Sequence, residues 1–455
     1  MFRKFFSIIG IDKSVLYGLL GRSWGIISVP ISILLILKYM NPETQGVYYT
    51  MMSLIGIQVI FEMGLSTVLS NFFFQEFTKV HINHFGRIVG CLNSRNRILG
   101  VYEKSIKWFR YIGVVFFFLS LPIGYWVLNK ASLEINDWLG GWILIVVSIT
   151  LNFFITPLIS LEIGSGGLKN IYKIEAFSSV LSAIFLWVLI INDLGIYGIF
   201  LGIFFRFFIF LNFFFSKRKF LFFQLFKFHE KFNLFINWRK EIWPMQWRIS
   251  ISWMAGYFIF NSFTPIVLYF RGPVEAGKIG LAVSLVSAIT TLTLIWINAI
   301  SPRMGGYVSE RKFEDLNSIF MKYFIISILF SLFCVIILLV IIYYINNNSD
   351  FGSRFLEYKY LIVFFVSAIA QIIMSLFAAY FRVFKKEPLF YVSIMQAILL
   401  SIFTIFFSYK FDANHVVLGV FLVNYIFVLP ASFVIFMRFK KSYSVGKSES
   451  RGFYE

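Results

Sequence analysis

The sequence is short of charge, since only 14% of its 455 residues are Asp, Glu, Lys or Arg, and acidic side chains are the scarcer kind at 22 against 41 basic ones. A soluble chain with so little charge, 59% hydrophobic and carrying 60 phenylalanines, could not cover its apolar surface, whereas a bilayer requires one. Cysteine is nearly missing: Cys91 lies in a basic loop and Cys334 in an apolar run, which excludes a disulfide framework. Of the four histidines, His81 and His84 are three apart, but no carboxylate or thiol pattern completes a metal set. There is no Ser-His-Asp constellation and no pair of carboxylates placed for acid–base work, so the chain is not expected to be an enzyme or to hold a metal or cofactor. The short alternating segments of about 10 residues that mark a membrane β-barrel are missing too.

What remains is a series of apolar runs of about 20 residues, each long enough to cross a hydrocarbon core of about 30 Å. They predict an all-α polytopic membrane protein with twelve transmembrane helices, at 15–39, 46–70, 109–129, 139–161, 175–192, 194–215, 244–270, 275–298, 323–345, 358–381, 389–409 and 414–437. The N-terminus is short and basic and its first apolar run is expected to stay as a span, not to be cleaved. A formal charge of +19 invites a nucleic-acid reading, but the basic residues flank the apolar runs and form no domain of their own, so no nucleic-acid partner is expected. Counted by side, 31 Lys and Arg fall with the termini and 7 opposite, while Arg22, Arg206 and Arg248 sit within spans. The positive-inside rule then predicts both termini in the cytoplasm.

The two halves rehearse one layout. In 242–285 a Trp-Pro pair leads into an apolar run with Arg248 and Pro265, then a turn at 272–277. Near the start, Arg22 and Pro30 precede a turn at 41–46, and Pro42 and Gly46 are spaced as Pro273 and Gly277 are. A duplicated design of this kind is typical of secondary transporters. The expected domains are an N-terminal six-helix bundle at 1–215, a cytoplasmic amphipathic linker at 216–243, and a C-terminal six-helix bundle with a short cytoplasmic tail at 244–455. The segments 71–108 and 216–243 mix Phe and Leu with Lys, Arg and His, as in FLFFQLFKFHEKFNLFINW at 220–238. Such a helix can lie in the interface against anionic membrane lipids, either as a joint between bundles or as a grip on a lipid-linked substrate.

One motif is a decoy. Gly272 to Lys278 reads G-x-x-x-x-G-K, but Ile279 follows where a nucleotide-binding loop needs Ser or Thr, and the stretch joins two spans. Charges inside spans carry more information, because an ionisable group at mid-bilayer is costly unless it faces protein or water. Glu62 is about 16 residues into its span, roughly 24 Å at 1.5 Å per residue, and is read either as a structural carboxylate or as an ion-coupling site. Arg206 lies near the middle of its span, whereas Arg22 and Arg248 are shallower and can snorkel. Gln58, Asn152, Asn298, Gln371, Gln396 and Asn424 can line a cavity or bond helix to helix. Three arginines against one deep carboxylate suggest a cationic cavity suited to an anionic cargo, since the planar guanidinium fork binds two phosphate oxygens at once.

The stretch 247–281, with GYFIF at 256–260, TP at 264–265 and GPVEAGKIGL at 272–281, resembles the bacterial O-antigen and capsule flippases. So do PETQGVYYTMMSLIGIQVIFEMGLSTVL at 42–69 and WINAISPRMGGYVSERKFEDLNSIF at 296–320. These Wzx-like proteins belong to the multidrug/oligosaccharidyl-lipid/polysaccharide exporter superfamily. NFFFQEF, after Ser70, departs from the polar pattern of that group. The resemblance implies two six-helix bundles around a central cavity, in the bacterial inner membrane. It implies translocation of undecaprenyl-pyrophosphate-linked repeat units to the outer leaflet, with polysaccharide assembly proteins as further partners. Arg22, Arg206 and Arg248 carry over as candidate substrate-binding residues, whereas Glu62 stands as the ion-coupling candidate on its depth in the span alone. A drug or cation antiporter of the same superfamily is the alternative, and would want acidic groups in the cavity. A glycan polymerase or ligase would need a large external loop, and every external loop here is short.

Overall fold

The structure is a computed structural model that describes residues 13–83, 87–224, 237–384 and 386–444, with side chains for all of these but 13–20, 22, 23, 26, 220, 224, 302, 443 and 444. Two compact units make up the chain, Met1–Tyr257 and Phe258–Glu455. The division falls inside the helix Trp243–Phe260, whereas the sequence places the joint at 216–243. Of that linker, 225–236 lies outside the described residues.

The first unit is built from α1 (Lys13–Tyr39), a broken span made of α2 (Pro42–Ile55), α3 (Gln58–Glu62) and α4 (Leu65–Glu76), then α5 (Leu92–Leu128), α6 (Ile135–Gly164), α7 (Leu168–Ile191) and α8 (Gly195–Lys217). The short α9 (Lys219–Gln224) and α10 (Trp238–Glu241) follow, and α11 (Trp243–Phe260) runs on into the second unit. There α12 (Phe263–Arg271), α13 (Pro273–Ser309), α14 (Phe313–Asn348), α15 (Tyr358–Val383), α16 (Phe390–Lys410), α17 (Ala413–Leu422) and α18 (Leu429–Ser444) complete the fold.

Every predicted span falls on a helix or a bent pair of helices. Among the described residues nine helices are long and apolar enough to cross a membrane, and up to eleven if each of two bent pairs counts as one span. The chain is an all-α polytopic membrane protein, and its outward faces fit that setting. On α14 the exposed Leu329, Phe333, Ile336 and Val340 recur at helical spacing and form an apolar stripe that suits acyl chains.

Two local expectations need correction. The predicted turns at 41–46 and 272–277 are mostly the first turns of α2 and α13. Pro42 and Pro273 start those helices, because a proline at the first position gives up an amide that has no helical partner there. Asn41 adds a cap, its Oδ1 accepting from Thr44 N at 2.7 Å. The second correction concerns 71–108, which is no continuous interfacial helix. After α4 the chain forms an antiparallel hairpin, β1 (Val80–Ile82) and β2 (Ile88–Gly90), with His81 opposite Val89, before α5 begins. The β-branched Val80, Ile82, Ile88 and Val89 suit strands there.

The matching halves diverge as well. The α1 helix runs unbroken through Pro30, whereas the equivalent run at 243–271 bends by 46° between α11 and α12.

Candidate functional site

The first unit holds the charged site. Its origin is the break in the second span, where Pro42–Glu62 and Leu65–Lys79 meet at 48°. Met63 and Gly64 both take left-handed backbone angles, with φ of 55° and 62°, and this reversal separates α3 from α4. Only glycine adopts that conformation at no steric cost. Gly64 is also pressed by its neighbour: a Cβ there would sit 2.3 Å from Ile249 Cγ2 on α11. On the same face of α11, Ser250 Oγ lies 2.9 Å from the Met63 carbonyl and donates to it, which satisfies a group the break removes from the helical ladder. Gly64→Ala is therefore expected to lower the thermal unfolding temperature of the purified protein. Left-handed strain contributes about 1–2 kcal/mol and the clash adds to it. Combining it with Ile249→Ala should recover the clash but not the strain, and full recovery would show that the backbone conformation costs nothing.

Glu62 ends α3 at this break. Its carboxylate faces Ser66, in the first turn of α4, and lies within electrostatic reach of Arg206 on α8. A carboxylate at a helix N-terminus is favoured by the free amides and the dipole there. Arg206 is the middle residue of α8, and its Nη2 donates to Glu175 Oε1 on α7 at 3.2 Å. Its guanidinium also lies 5.6 Å from the Phe210 ring centre. Arg206 and Glu175 keep 44% and 41% of their side-chain surface exposed, so the pair is not sealed inside the protein.

Glu175 is the partner of Arg206 that the sequence reading does not single out. Taken as the first residue of a span at 175–192, it passed for a boundary charge, but α7 begins at Leu168 and places it about two turns inside. Arg206 thus has two carboxylates near it, Glu175 in contact and Glu62 within electrostatic reach. The helical continuation of LKNIYKI ahead of Glu175 was the available signal.

Of the other predicted cations, Arg248 is not drawn into this cluster. Arg248 is exposed on α11 with its guanidinium 5.6 Å from the Trp247 ring centre, and no ion pair is found for it among the described residues. The Arg22 side chain lies outside the described residues. Its neighbour Gly21 packs on α7, where a Cβ would sit 3.4 Å from Ala176 Cβ.

Two further ion clusters in the same unit are tighter. Glu162, near the end of α6, has a side chain with no exposed surface. It accepts from Arg218 Nε at 2.8 Å, from Arg218 Nη2 at 3.1 Å and from Asn170 Nδ2 at 2.9 Å. Arg97 on α5 donates to Glu76 at 2.8 Å and to Glu241 at 2.6 Å, while Trp108 stacks on Trp238 with ring centres 6.4 Å apart. These contacts fasten α10, the end of the linker, to α4 and α5.

In the second unit the structure brings together three of the predicted polar residues. Gln396 Nε2 donates to Gln371 Oε1 at 2.5 Å and to Asn424 Oδ1 at 3.0 Å. Asn424 Nδ2 donates to Ser367 Oγ at 3.0 Å. Asn424 lies on a π-helical turn, Val423–Val428, which widens the helix where this network meets it. Asn152, by contrast, is a helix-to-helix bond, its Nδ2 donating to the Ile203 carbonyl at 3.1 Å. Among the described residues no group of three or more His, Cys, Asp or Glu is placed to hold a metal ion.

No protein-family model matches the chain, and no curated protein matches it by sequence. Solved structures do match. An inward-facing multidrug resistance MATE family transporter of the MOP superfamily superposes with a TM-score of 0.68 at 15% identity, over 94% of this chain and 96% of that one. The lipid II flippase MurJ, in an inward closed conformation, does so with a TM-score of 0.67 at 13% identity, over 96% of this chain and 94% of that one. A mutant of the Vibrio cholerae MATE transporter VcmN gives 0.56 at 14% identity, over 94% of this chain and 96% of that one. The chain has the all-α polytopic fold that MATE transporters and the MurJ flippase share.

Proposed function

We propose that this protein is a flippase that carries lipid-linked oligosaccharide units with a pyrophosphate linkage from the inner to the outer leaflet, for O-antigen or capsule assembly. The observation that carries this reading is Arg206, a half-exposed guanidinium at the midpoint of a membrane helix. An arginine at such depth is costly in lipid and is retained where it meets water or an anionic ligand. Its fork suits two phosphate oxygens. The lipid tail would remain in the bilayer while sugar and pyrophosphate cross by alternating access, with both chain termini in the cytoplasm. An inside-negative potential favours outward movement of the anion by about 2.3 kcal/mol per charge per 100 mV. Sharing a fold with a lipid II flippase supports the reading at the level of architecture.

The two carboxylates, Glu62 and Glu175, favour a second reading, export of a cationic drug in exchange for an ion. Deleting the gene and restoring it separates the two. The flippase reading expects loss of surface polysaccharide, build-up of lipid-linked units in the inner leaflet, and unchanged sensitivity to cationic dyes. Normal surface polysaccharide with raised dye sensitivity would establish the antiporter instead.

Glu62 is proposed as the ion-coupling residue in either case. Glu62→Gln keeps the shape of the break and removes the charge, so transport should fall or lose its dependence on a proton or sodium gradient. Vesicle assays that give an unchanged rate and ion dependence would leave Glu62 as a structural cap on α4.

A further inference from the structure

The two arginine–glutamate pairs that join α7 or α6 to the α8 region are built differently, and the difference has a functional meaning. Arg218 grips Glu162 through two nitrogens, at 2.8 and 3.1 Å, and Asn170 holds the same carboxylate, which has no exposed surface. The carboxylate of that pair is sealed, although the Arg218 side chain keeps 23% of its surface exposed. Arg206 meets Glu175 through one nitrogen at 3.2 Å, and both side chains keep more than two-fifths of their surface. A charge-assisted bond at full strength is about 2.7–2.9 Å long and often paired, so this contact is a loose one. A guanidinium has five N–H donors, and the Glu175 contact accounts for one of them.

We infer that Glu175 is a built-in competitor for the anionic group of the cargo: its carboxylate occupies Arg206 when no cargo is bound, and a phosphate displaces it by taking the fork with two oxygens. This rests on the reading of the protein as a carrier of phosphate-containing lipid. The exchange is feasible because the displaced carboxylate is already half exposed and is not left buried without a partner. It is selective because only a ligand with two suitably spaced anionic oxygens gains more from the guanidinium than Glu175 does. It is also reversible. When the cargo leaves, Glu175 returns to the guanidinium and opposes rebinding, so the same residue that weakens capture assists release.

The test uses the full chain in detergent with farnesyl pyrophosphate, a short isoprenoid pyrophosphate, as the probe, and reads its Kd together with surface polysaccharide in cells. Glu175→Gln should bind the probe roughly 2- to 5-fold tighter than wild type, the worth of an exposed ion pair, while transporting more slowly because release is no longer assisted. A residue with a merely structural role would not tighten binding. Glu175→Asp withdraws the carboxylate by one methylene and keeps its charge; it should also bind more tightly, and serves if Glu175→Gln does not fold. Arg206→Ala should lose the probe. Equal affinity in wild type and both Glu175 variants, with Arg206→Ala defective, would overturn the competition and leave the cargo reading standing. Undiminished binding by Arg206→Ala would overturn the cargo reading, and the competition with it.

Discussion

Glu162→Ala is expected to remove most of the folded protein from the membrane. The substitution leaves Arg218 and Asn170 without their shared acceptor, and breaking one partner of a fully buried ion pair costs about 3–5 kcal/mol, an upper bound here because Arg218 keeps 23% of its side-chain surface exposed. That is a large part of the 5–15 kcal/mol by which domains are usually stable. Arg218→Ala should be worse placed still, because it strands a carboxylate with no exposed surface. The surroundings are already full: a Cβ on Gly167 would come 2.2 Å from Glu162 Oε1. Fluorescence-detected unfolding of detergent-solubilised protein, with membrane abundance scored in parallel, measures the effect. The two single variants and the double variant form a cycle, and the double should be milder than the sum of the singles, since it leaves neither charge alone. Additive losses would show that the pair does not act as a unit.

Arg206→Ala should abolish surface polysaccharide at near-normal protein abundance. The pair it breaks is half exposed, so its contribution to folding is at most about 1 kcal/mol. The cargo contact it removes is a charge and a bidentate fork together. Arg206→Lys keeps the charge as a point and should retain part of the display. Arg248→Ala should be milder than either, because that side chain lies exposed over Trp247 and not in the cluster. Wild-type display from Arg206→Ala would refute the contact. Loss of display that merely follows loss of protein would make Arg206 a folding residue.

Set beside each other, these two substitutions show why similar residues differ in role. Arg206 and Arg218 are twelve positions apart in one basic, aromatic stretch, and each meets a glutamate. Burial separates them: one carboxylate is sealed and the other is open. Along the sequence Arg218 is one of three consecutive basic residues, Lys217 to Lys219, and nothing in that run points to Glu162.

Much of the fold was legible because the bilayer imposes a requirement that depends on composition alone. Any apolar run of sufficient length must satisfy its backbone internally, so hydropathy suffices to locate helices. Each predicted span accordingly falls on helix, though 46–70 and 244–270 are broken within, and several ends are short because helices such as α5 and α14 continue past their apolar stretch into charged segments. Span depth likewise singled out Glu62 and Arg206, because a charge in an apolar run is conspicuous whatever surrounds it.

What could not be read is what depends on a neighbour. The left-handed pair Met63–Gly64 splits its span because Ser250 and Ile249 of α11 occupy the space around it, and no local propensity encodes their position. Glu175 lay at the margin of an apolar run until the true start of α7 placed it inside the membrane helix, opposite Arg206. Gln371, Gln396 and Asn424 were each ambiguous between cavity and helix contact, and only tertiary packing joined them in one network. Hydrophobicity acts on single residues and is summed along the chain, so the sequence by itself determined that this is a membrane protein and where its helices run. Hydrogen bonds and ion pairs need a partner at a set distance, so only the tertiary structure decided which charges lock the fold and which stand open to a ligand.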